Sequence, residues 1–324
     1  MPGRVLASAR NVAMVLEEYR PRLDAAGLEV VFPDVANPTL TEADLLRLLP
    51  GSVAAVAMPD DYTARVIEAG SPSLKLIARS GVGYDSIDVA AAKRHGVWVT
   101  TTVGSNHDAV ADFTLGLILD LARAISRINA QTKAGTWGRV AGVELRGKTL
   151  GIVGTGRVGR EVAARAAPFG LRLVAYDLYP NDDWARSTGV TYLPLEDLLA
   201  AADIVSLHAP STPETKHLLN ARTLAGCKRG ALVVNTARGE LIDESALLAA
   251  LESETLGGAA LDVFAAEPPG EAQRPLIAHP KVIATSHCAG AAVEAQRRAA
   301  EMALDEVLRV TRGESPRFPV PELT

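Results

Sequence analysis

Short apolar runs alternate along this chain with segments of helical spacing, and the alternation occurs in two successive blocks. In the first block, Val5 to Ala9, Leu28 to Phe32, Val53 to Met58, Leu74 to Ala78 and Val97 to Thr101 read as short buried strands. The segments Asn11 to Ala26 and Glu42 to Leu49 have helical spacing, with Thr41 placed to cap the second. Strands alternating with helices predict a parallel sheet with helices on both faces. A long helix is predicted from about Asn106 to Lys133, ended by Gly135. Its apolar positions Val110, Phe113, Leu117, Leu121, Ile125 and Ile128 recur at three and four, and Leu115, Ile118 and Leu119 widen the stripe. Such a helix is expected to be buried on two sides, as a bridge between domains or a subunit contact. The second block starts near Lys148. Its expected strands are Thr149 to Val153, Arg172 to Tyr176, Ile204 to Leu207, Ala231 to Asn235, Gly257 to Leu261 and Val282 to Ala284. A last helix is expected over about Ala291 to Arg312, stopped by Gly313 and followed by a proline-containing tail, Pro316 to Pro321.

Composition narrows the class. The 324 residues suffice for two domains, and 48% hydrophobic with 22% charged residues is the balance of a soluble globular chain. A formal net charge of −5 provides no electrostatic case for nucleic acid or an anionic membrane as partner. No apolar run has the length of a membrane span, and the segment Met1 to Leu6 lacks the apolar core of a signal peptide. Having only two cysteines, Cys227 and Cys288, argues against a disulfide framework and fits a reducing cytoplasm. The six histidines show no metal-ligand spacing, so no metal is expected.

One stretch carries specific chemistry. An apolar run enters Gly154-Thr155-Gly156-Arg157-Val158-Gly159, an Ala-rich helical pattern follows, and a second apolar run from Leu171 ends at Asp177. In this G-x-G-x-x-G pattern the first glycine permits the tight turn. The second lets backbone approach a pyrophosphate, and the third lets helix pack on strand. The helix N-terminus offers unpaired N–H groups to that pyrophosphate. Asp177, 18 residues past Gly159, stands where a carboxylate accepts hydrogen bonds from the adenosine ribose. Its negative charge disfavours a 2′-phosphate, and Leu178, Tyr179 and Pro180 include no arginine to receive one, so NAD is expected over NADP. Arg186 is the nearby cation that bears on this choice.

Three further polar sites follow strands of the second block: Asn235-Thr236-Ala237-Arg238-Gly239, Asp262 to Pro268, and Thr285-Ser286-His287-Cys288-Ala289-Gly290. In a doubly wound sheet the ligand crevice lies at the carboxyl ends of the strands, so Arg238, Glu267 and His287 are expected to converge there. Hydride transfer to a 2-oxo acid needs a cation for the carboxylate and a proton for the developing alkoxide. Arginine is a bidentate carboxylate clamp. Histidine moves a proton near neutral pH, and a glutamate beside it stabilises the imidazolium and fixes the ring. Backbone N–H groups of Ser80-Gly81-Val82-Gly83 are candidates to hold the other end of the substrate. Taken singly, each of these residues also has a structural reading, as do His208, His217 and Cys288.

With these motifs assembled, the chain resembles the D-2-hydroxyacid dehydrogenase family over nearly its whole length. The resemblance rests on Arg79 to Asp88, Gly104-Ser105-Asn106 with Val110-Ala111-Asp112, and Gly154 to Gly159. It extends through His208 to Thr215, Asn235 to Gly239, Asp262-Val263-Phe264 with Glu267-Pro268, and His287 with Ala289-Gly290. It implies Arg238 as substrate clamp, His287 as general acid/base and Glu267 as its partner. It implies that Arg157, Val158 and Asp177 contact the cofactor, that Thr236, Asp262 and Gly290 line the nicotinamide side, and that His208, Pro210, Thr215 and Ala237 belong to the cofactor-binding set. The implied architecture is α/β, with two Rossmann-like doubly wound parallel-sheet domains and a cleft between them. One is a flavodoxin-like substrate domain, 1–102 plus 291–324, and the other an NAD-binding Rossmann domain, 103–290. A homodimer is also implied.

The chain departs from the family pattern at Ser86, Ala109, Ser286 (where proline usually precedes the histidine) and Cys288, which bears on the pocket's shape rather than its catalytic groups. Members that respond to serine carry a further C-terminal domain, and none is expected in the sequence ending at Thr324. The reading is therefore an NAD-dependent oxidoreductase acting on a small 2-hydroxy or 2-oxo acid, phosphorylated or not, for which Arg10 and Arg79 are candidate phosphate cations. The alternative is an NAD(H)-sensing binding protein of the corepressor kind.

Overall fold

The computed structural model describes residues 2–35 and 39–324; Met1 of the N-terminal segment considered above lies outside the described residues. The chain divides into two compact units, Met1–Asn106 with Ala291–Thr324, and His107–Gly290.

The first unit holds β1 (Gly3–Ala7), β2 (Leu28–Val31), β3 (Ser52–Ala57), β4 (Leu76–Arg79) and β5 (Trp98–Thr101). Their order is β2-β1-β3-β4-β5, and every pair is parallel. This is the flavodoxin-like order. Successive side chains of each strand enter opposite layers. Val5, Val56 and Leu76 pack with Ala300, Leu304 and Val307 of the helix Val293–Thr311, while Leu6, Ala55 and Ile77 pack with Leu45, Val66 and Ile67 on the other face. Burial on both faces is why these strands read as apolar runs rather than as alternating ones. The expected helix Asn11 to Ala26 is instead a 3₁₀ turn, Arg10–Met14, followed by an α-helix, Leu16–Ala25. Thr41 does cap Glu42–Leu48, and Asp44 completes a reciprocal capping box.

The second unit holds β6 (Thr149–Val153), β7 (Arg172–Tyr176), β8 (Thr191–Tyr192), β9 (Ile204–Leu207), β10 (Ala231–Asn235), β11 (Leu256–Leu261) and β12 (Val282–Ala284). The order is β12-β11-β10-β9-β6-β7-β8, again wholly parallel. Strand order reverses between β6 and β9, which creates the switch point where such sheets bind ligands beyond their carboxyl ends. The two-residue β8 was not anticipated; it is too short to show a period.

The single long helix expected from Asn106 to Lys133 is two helices, His107–Arg123 and Ile125–Lys133. Ala124 between them has φ 52°, in the left-handed region. Asp120 Oδ1 accepts from Ser126 N at 2.8 Å and so caps the second helix. Neither glycine nor proline marks this break. The first helix is buried through Ala111, Leu115, Leu117 and Ile118, against Leu150, Ile152 and Val162. The second has no buried residue, which corrects the expectation of burial on two sides throughout. Among the described residues no helix is long and apolar enough to cross a membrane.

Candidate active site

The Gly-rich turn connects β6 to the helix Arg157–Ala166. A Cβ on Gly154, whose φ is +94°, would stand 2.7 Å from Ala209 N, and one on Gly159 would stand 2.0 Å from Gly154 O. Both glycines are therefore required by the chain's own packing. Gly156 is different. Its φ is −67°, and a Cβ there would meet nothing within 4 Å. Nothing inside the protein demands a glycine at that place, and the open space beside it suits the approach of a ligand. Gly156 caps the helix without a side-chain acceptor, which leaves the first-turn N–H groups to an outside anion. The turn thus fits a dinucleotide's pyrophosphate. Arg157 is exposed and Val158 half-buried on that first turn.

Asp177 lies past the end of β7. Its Oδ2 accepts from Thr155 N at 2.6 Å and from Thr155 Oγ1 at 2.9 Å, and its Oδ1 accepts from Tyr179 N at 2.9 Å. The carboxylate is so held beside the Gly-rich turn. Tyr192 of β8 braces the same place: its hydroxyl lies 2.7 Å from Thr155 Oγ1 and accepts from Asn181 N at 3.2 Å. Thr155 and Tyr192 were not singled out from sequence. Thr155 occupies a variable position of the fingerprint, and Tyr192 sits in the strand that was missed. Arg186 is paired with Asp183 on an exposed helix. Asp177→Asn, which removes the charge and keeps an acceptor, is expected to narrow the preference for NADH over NADPH by roughly tenfold or more, the worth of one hydrogen bond to a charged group. Parallel kcat/KM measurements with the two cofactors check this, and an unchanged ratio would place the discrimination elsewhere.

The loops after β9 to β12 carry the remaining candidates. His208 Nε2 lies 2.8 Å from Ser206 Oγ, and burial pushes the imidazole down to about 3, so the ring stays neutral. Thr215 turns inward, donating to Pro210 O at 2.6 Å and accepting from Thr212 N at 2.8 Å. Past β10, the buried Asn235 brackets the next turn: its Oδ1 accepts from Ala237 N at 3.0 Å and its Nδ2 donates to Arg238 O at 2.8 Å. Thr236 Oγ1 lies 2.9 Å from Thr114 Oγ1 in the interior. Arg238 is half-buried, and its Nη1 donates to Ala237 O at 2.7 Å.

Glu267 and His287 meet. Oε2 of the glutamate lies 2.6 Å from His287 Nδ1, and Oε1 accepts from Phe264 N at 3.0 Å. Burial alone would raise the carboxyl's pKa. The hydrogen bonds from His287 and Phe264, with the charges of His287 and Arg238, outweigh it and hold Glu267 below the usual carboxylate range. An ionised Glu267 makes Nδ1 the protonated nitrogen and leaves Nε2 for another partner. The side chain of His287 is 52% exposed, so that partner has access.

The loop that presents His287 is held from below by Asp262, which is 1% exposed. Its carboxylate accepts from Thr285 Oγ1 at 2.5 Å, Cys288 N at 3.0 Å and Ala289 N at 2.8 Å, and its carbonyl accepts from His287 N at 2.7 Å. These bonds hold His287 at φ 51°, a conformation that costs a non-glycine residue about 1–3 kcal/mol unless its surroundings impose it. Asp262 thus has a positioning task that sequence reasoning missed. Cys288 Sγ also lies 3.5 Å from Asp262 Oδ1, and burial with that charge pushes the thiol's pKa up. Gly290 closes the loop, half-buried.

Gly239 explains how Arg238 comes close to Glu267. A Cβ there would stand 1.9 Å from Phe264 C and 2.1 Å from Phe264 O, so the two loops touch backbone to backbone. Gly239→Ala is expected to destabilise the unit by about 1–3 kcal/mol, as overpacking does, and to lower kcat/KM by parting Arg238 from Glu267. Denaturant unfolding and steady-state rates check it; unaltered values in both would mean that the loops separate without cost.

Ser80 to Gly83 belong to the other unit, in the loop after β4, where Ser80 Oγ accepts from Asn11 Nδ2 at 2.9 Å. One grouping of potential metal ligands occurs among the described residues, His107, Asp108 and Glu161. The Arg165 guanidinium pairs there with Asp108, Asp112 and Glu161, so a cation already fills it.

Residues 115–289 match the family model for the NAD binding domain of D-isomer specific 2-hydroxyacid dehydrogenases. The chain belongs to that family. It is 44% identical to the D-3-phosphoglycerate dehydrogenase of Rattus norvegicus over 299 residues, 91% of this chain and 55% of the rat protein. It is 42% identical to the hydroxypyruvate reductase of Thermotoga maritima over 270 residues, 82% of this chain and 87% of that one. A solved structure from Thermus thermophilus superposes with a TM-score of 0.88 at 39% identity, covering 98% of this chain and 99% of that one. The chain spans about half the length of the phosphoglycerate dehydrogenases it matches. Family membership makes NAD the cofactor of the second unit, in keeping with the turn at Gly156 and the carboxylate at Asp177.

Proposed function

We propose that this chain interconverts small 2-oxo acids and D-2-hydroxy acids with NAD(H). The observation that carries the reading is the Glu267–His287 pair with Arg238 beside it, on three loops at the carboxyl ends of the second unit's strands. The bound nicotinamide supplies or accepts the hydride. Arg238 receives the substrate carboxylate through its planar fork of donors. In reduction, His287 gives its Nε2 proton to the carbonyl oxygen, and in oxidation it takes the hydroxyl proton back. Glu267 stabilises the charged ring throughout and keeps Nε2 aimed at the reacting oxygen. Backbone N–H groups of Ser80, Gly81, Val82 and Gly83, in the first unit, are assigned to substrate binding as well.

The related proteins are named as dehydrogenases and reductases, which supports turnover over the NAD(H)-sensing alternative. The test is NADH consumption by the purified chain with glyoxylate, hydroxypyruvate, pyruvate and phenylpyruvate. Tight NADH binding with no turnover of any 2-oxo acid would favour sensing instead.

The same proposal includes a homodimer in the cytoplasm, with neither nucleic acid nor membrane as partner. The helix Ile125–Lys133 has no buried residue, and beyond it Trp137 is 92% exposed. Ile125 and Val143 are exposed as well, and exposed large apolar side chains are what a second copy covers. Light scattering at micromolar concentration is expected to return twice the chain mass; a single-chain mass would refute the dimer. Both cysteines are free thiols, in keeping with a reducing compartment.

A further inference from the structure

Whether the substrate bears a phosphate depends on the cations around the loop Ser80 to Gly83, and the first unit shows where they go. Among the described residues, Arg10, Arg79 and Arg298 stand at the carboxyl edge of its sheet, each donating to a backbone carbonyl, and Arg65, in the helix after β3, pairs with Glu42. Arg10, just past β1, donates through Nη2 to Pro33 O at 3.1 Å, over the loop that follows β2. In the order β2-β1-β3-β4-β5 that direction leads away from β4 and its loop, which starts two strand spacings from β1, roughly 10 Å. The neighbouring Asn11, not Arg10, is the residue that reaches Ser80.

Arg79, the last residue of β4, folds back beneath its own loop. Its Nη1 donates to Ser80 O at 2.6 Å and to Ala57 O at 3.4 Å, and a Cβ on Gly81 would stand 2.6 Å from that same nitrogen. Its charge acts on Asp60, which is 0% exposed and accepts from Ser8 Oγ, from Leu40 N at 2.8 Å and from Met58 N at 3.0 Å. Arg298 donates through Nε to Ser105 O at 2.9 Å, past β5.

Carboxylates stand along the same edge. Asp60 and the exposed Asp61 follow β3, the strand that lies between β1 and β4, and the exposed Asp85 is in the loop after β4 itself. A phosphate monoester carries about −1.5 to −2 charges at neutral pH and is held by convergent charge-assisted hydrogen bonds. The cations named at this edge are already turned to carbonyl groups or to a carboxylate, and the exposed Asp61 and Asp85 follow β3 and β4 there.

We propose that the substrate is an unphosphorylated, short 2-oxo or D-2-hydroxy acid with an uncharged substituent, although several relatives are named for a phosphorylated acid. The inference rests on the reading of Ser80 to Gly83 as the substrate loop of a 2-oxo acid reductase. The deciding experiment compares steady-state kcat/KM of the full chain with NADH on hydroxypyruvate and on 3-phosphohydroxypyruvate, in one phosphate-free buffer. The unphosphorylated acid is expected to be favoured roughly tenfold or more, mostly through KM, the worth of one missing charge-assisted hydrogen bond. A smaller ratio, or one favouring the phosphorylated acid, overturns the inference and leaves the reductase reading standing. Turnover of neither acid, nor of glyoxylate, pyruvate or phenylpyruvate, by protein that binds NADH removes the reductase reading, and this inference with it.

Discussion

Replacing His287 with alanine is expected to lower kcat by roughly 10²–10⁴-fold, the usual worth of a positioned general acid/base, while NADH binding is retained. The expectation follows from the 2.6 Å contact between His287 Nδ1 and Glu267, which places the proton on Nδ1 and leaves Nε2 open to another partner. Glu267 is held below the usual carboxylate range, so the sign of its pH dependence is determined. Its ionised form is fully present above the unfolded-state pKa, and is lost only as pH falls through the lower folded value. Across the neutral range the pair therefore keeps its geometry, so a limb of the kcat/KM profile there is not a loss of the Glu267 charge. The measurement is the pH profile of kcat/KM for the parent and the variant. Survival of the same limb in His287→Ala would mean that another group moves the proton.

Arg238→Ala is expected to lower kcat/KM by about 10²–10³-fold, in line with the cost of truncating one partner of a hydrogen-bonded charge pair, with KM raised and turnover lowered. NADH affinity is expected to be nearly unchanged. Arg238→Lys is expected to recover only part of the loss, because an ammonium lacks the planar fork that matches a carboxylate. The residue does two things at once. Its guanidinium is proposed to receive the substrate, and its charge helps hold Glu267 ionised. Loss of KM effect in Arg238→Ala, with kcat alone reduced, would leave the second task and remove the first.

The two folds were legible because parallel strands covered on both faces must be apolar throughout, and β6, β7, β9, β10 and β12 stand where their runs predicted. The Gly-rich turn was legible for a related reason. Gly154 and Gly159 are demanded by clashes with neighbouring backbone, while a Cβ on Gly156 would meet only open space that suits a ligand, so chemistry is written into residue type. The break at Ala124 was not legible, since alanine favours helix and its left-handed φ depends on a cap from Asp120, four residues back. Nor was β8, although its Tyr192 braces the turn beside Asp177 through Thr155.

By itself the sequence determined which residue types stand after which strands, and with that the candidates Arg238, Glu267 and His287 and the carboxylate Asp177. Local patterning suffices for this, because period and glycine placement are properties of neighbouring positions. Only the tertiary structure decided how those candidates are held. Asp262 pins the His287 loop from 23 to 27 residues away, and Gly239 lets two loops share backbone contact. Only the structure decided, too, that Arg10 and Arg79 are turned to carbonyl groups, Arg79 with its charge acting on the buried Asp60. Charge compensation acts through space between strands that are neighbours in the sheet and distant in the chain, and no local pattern in the sequence records it.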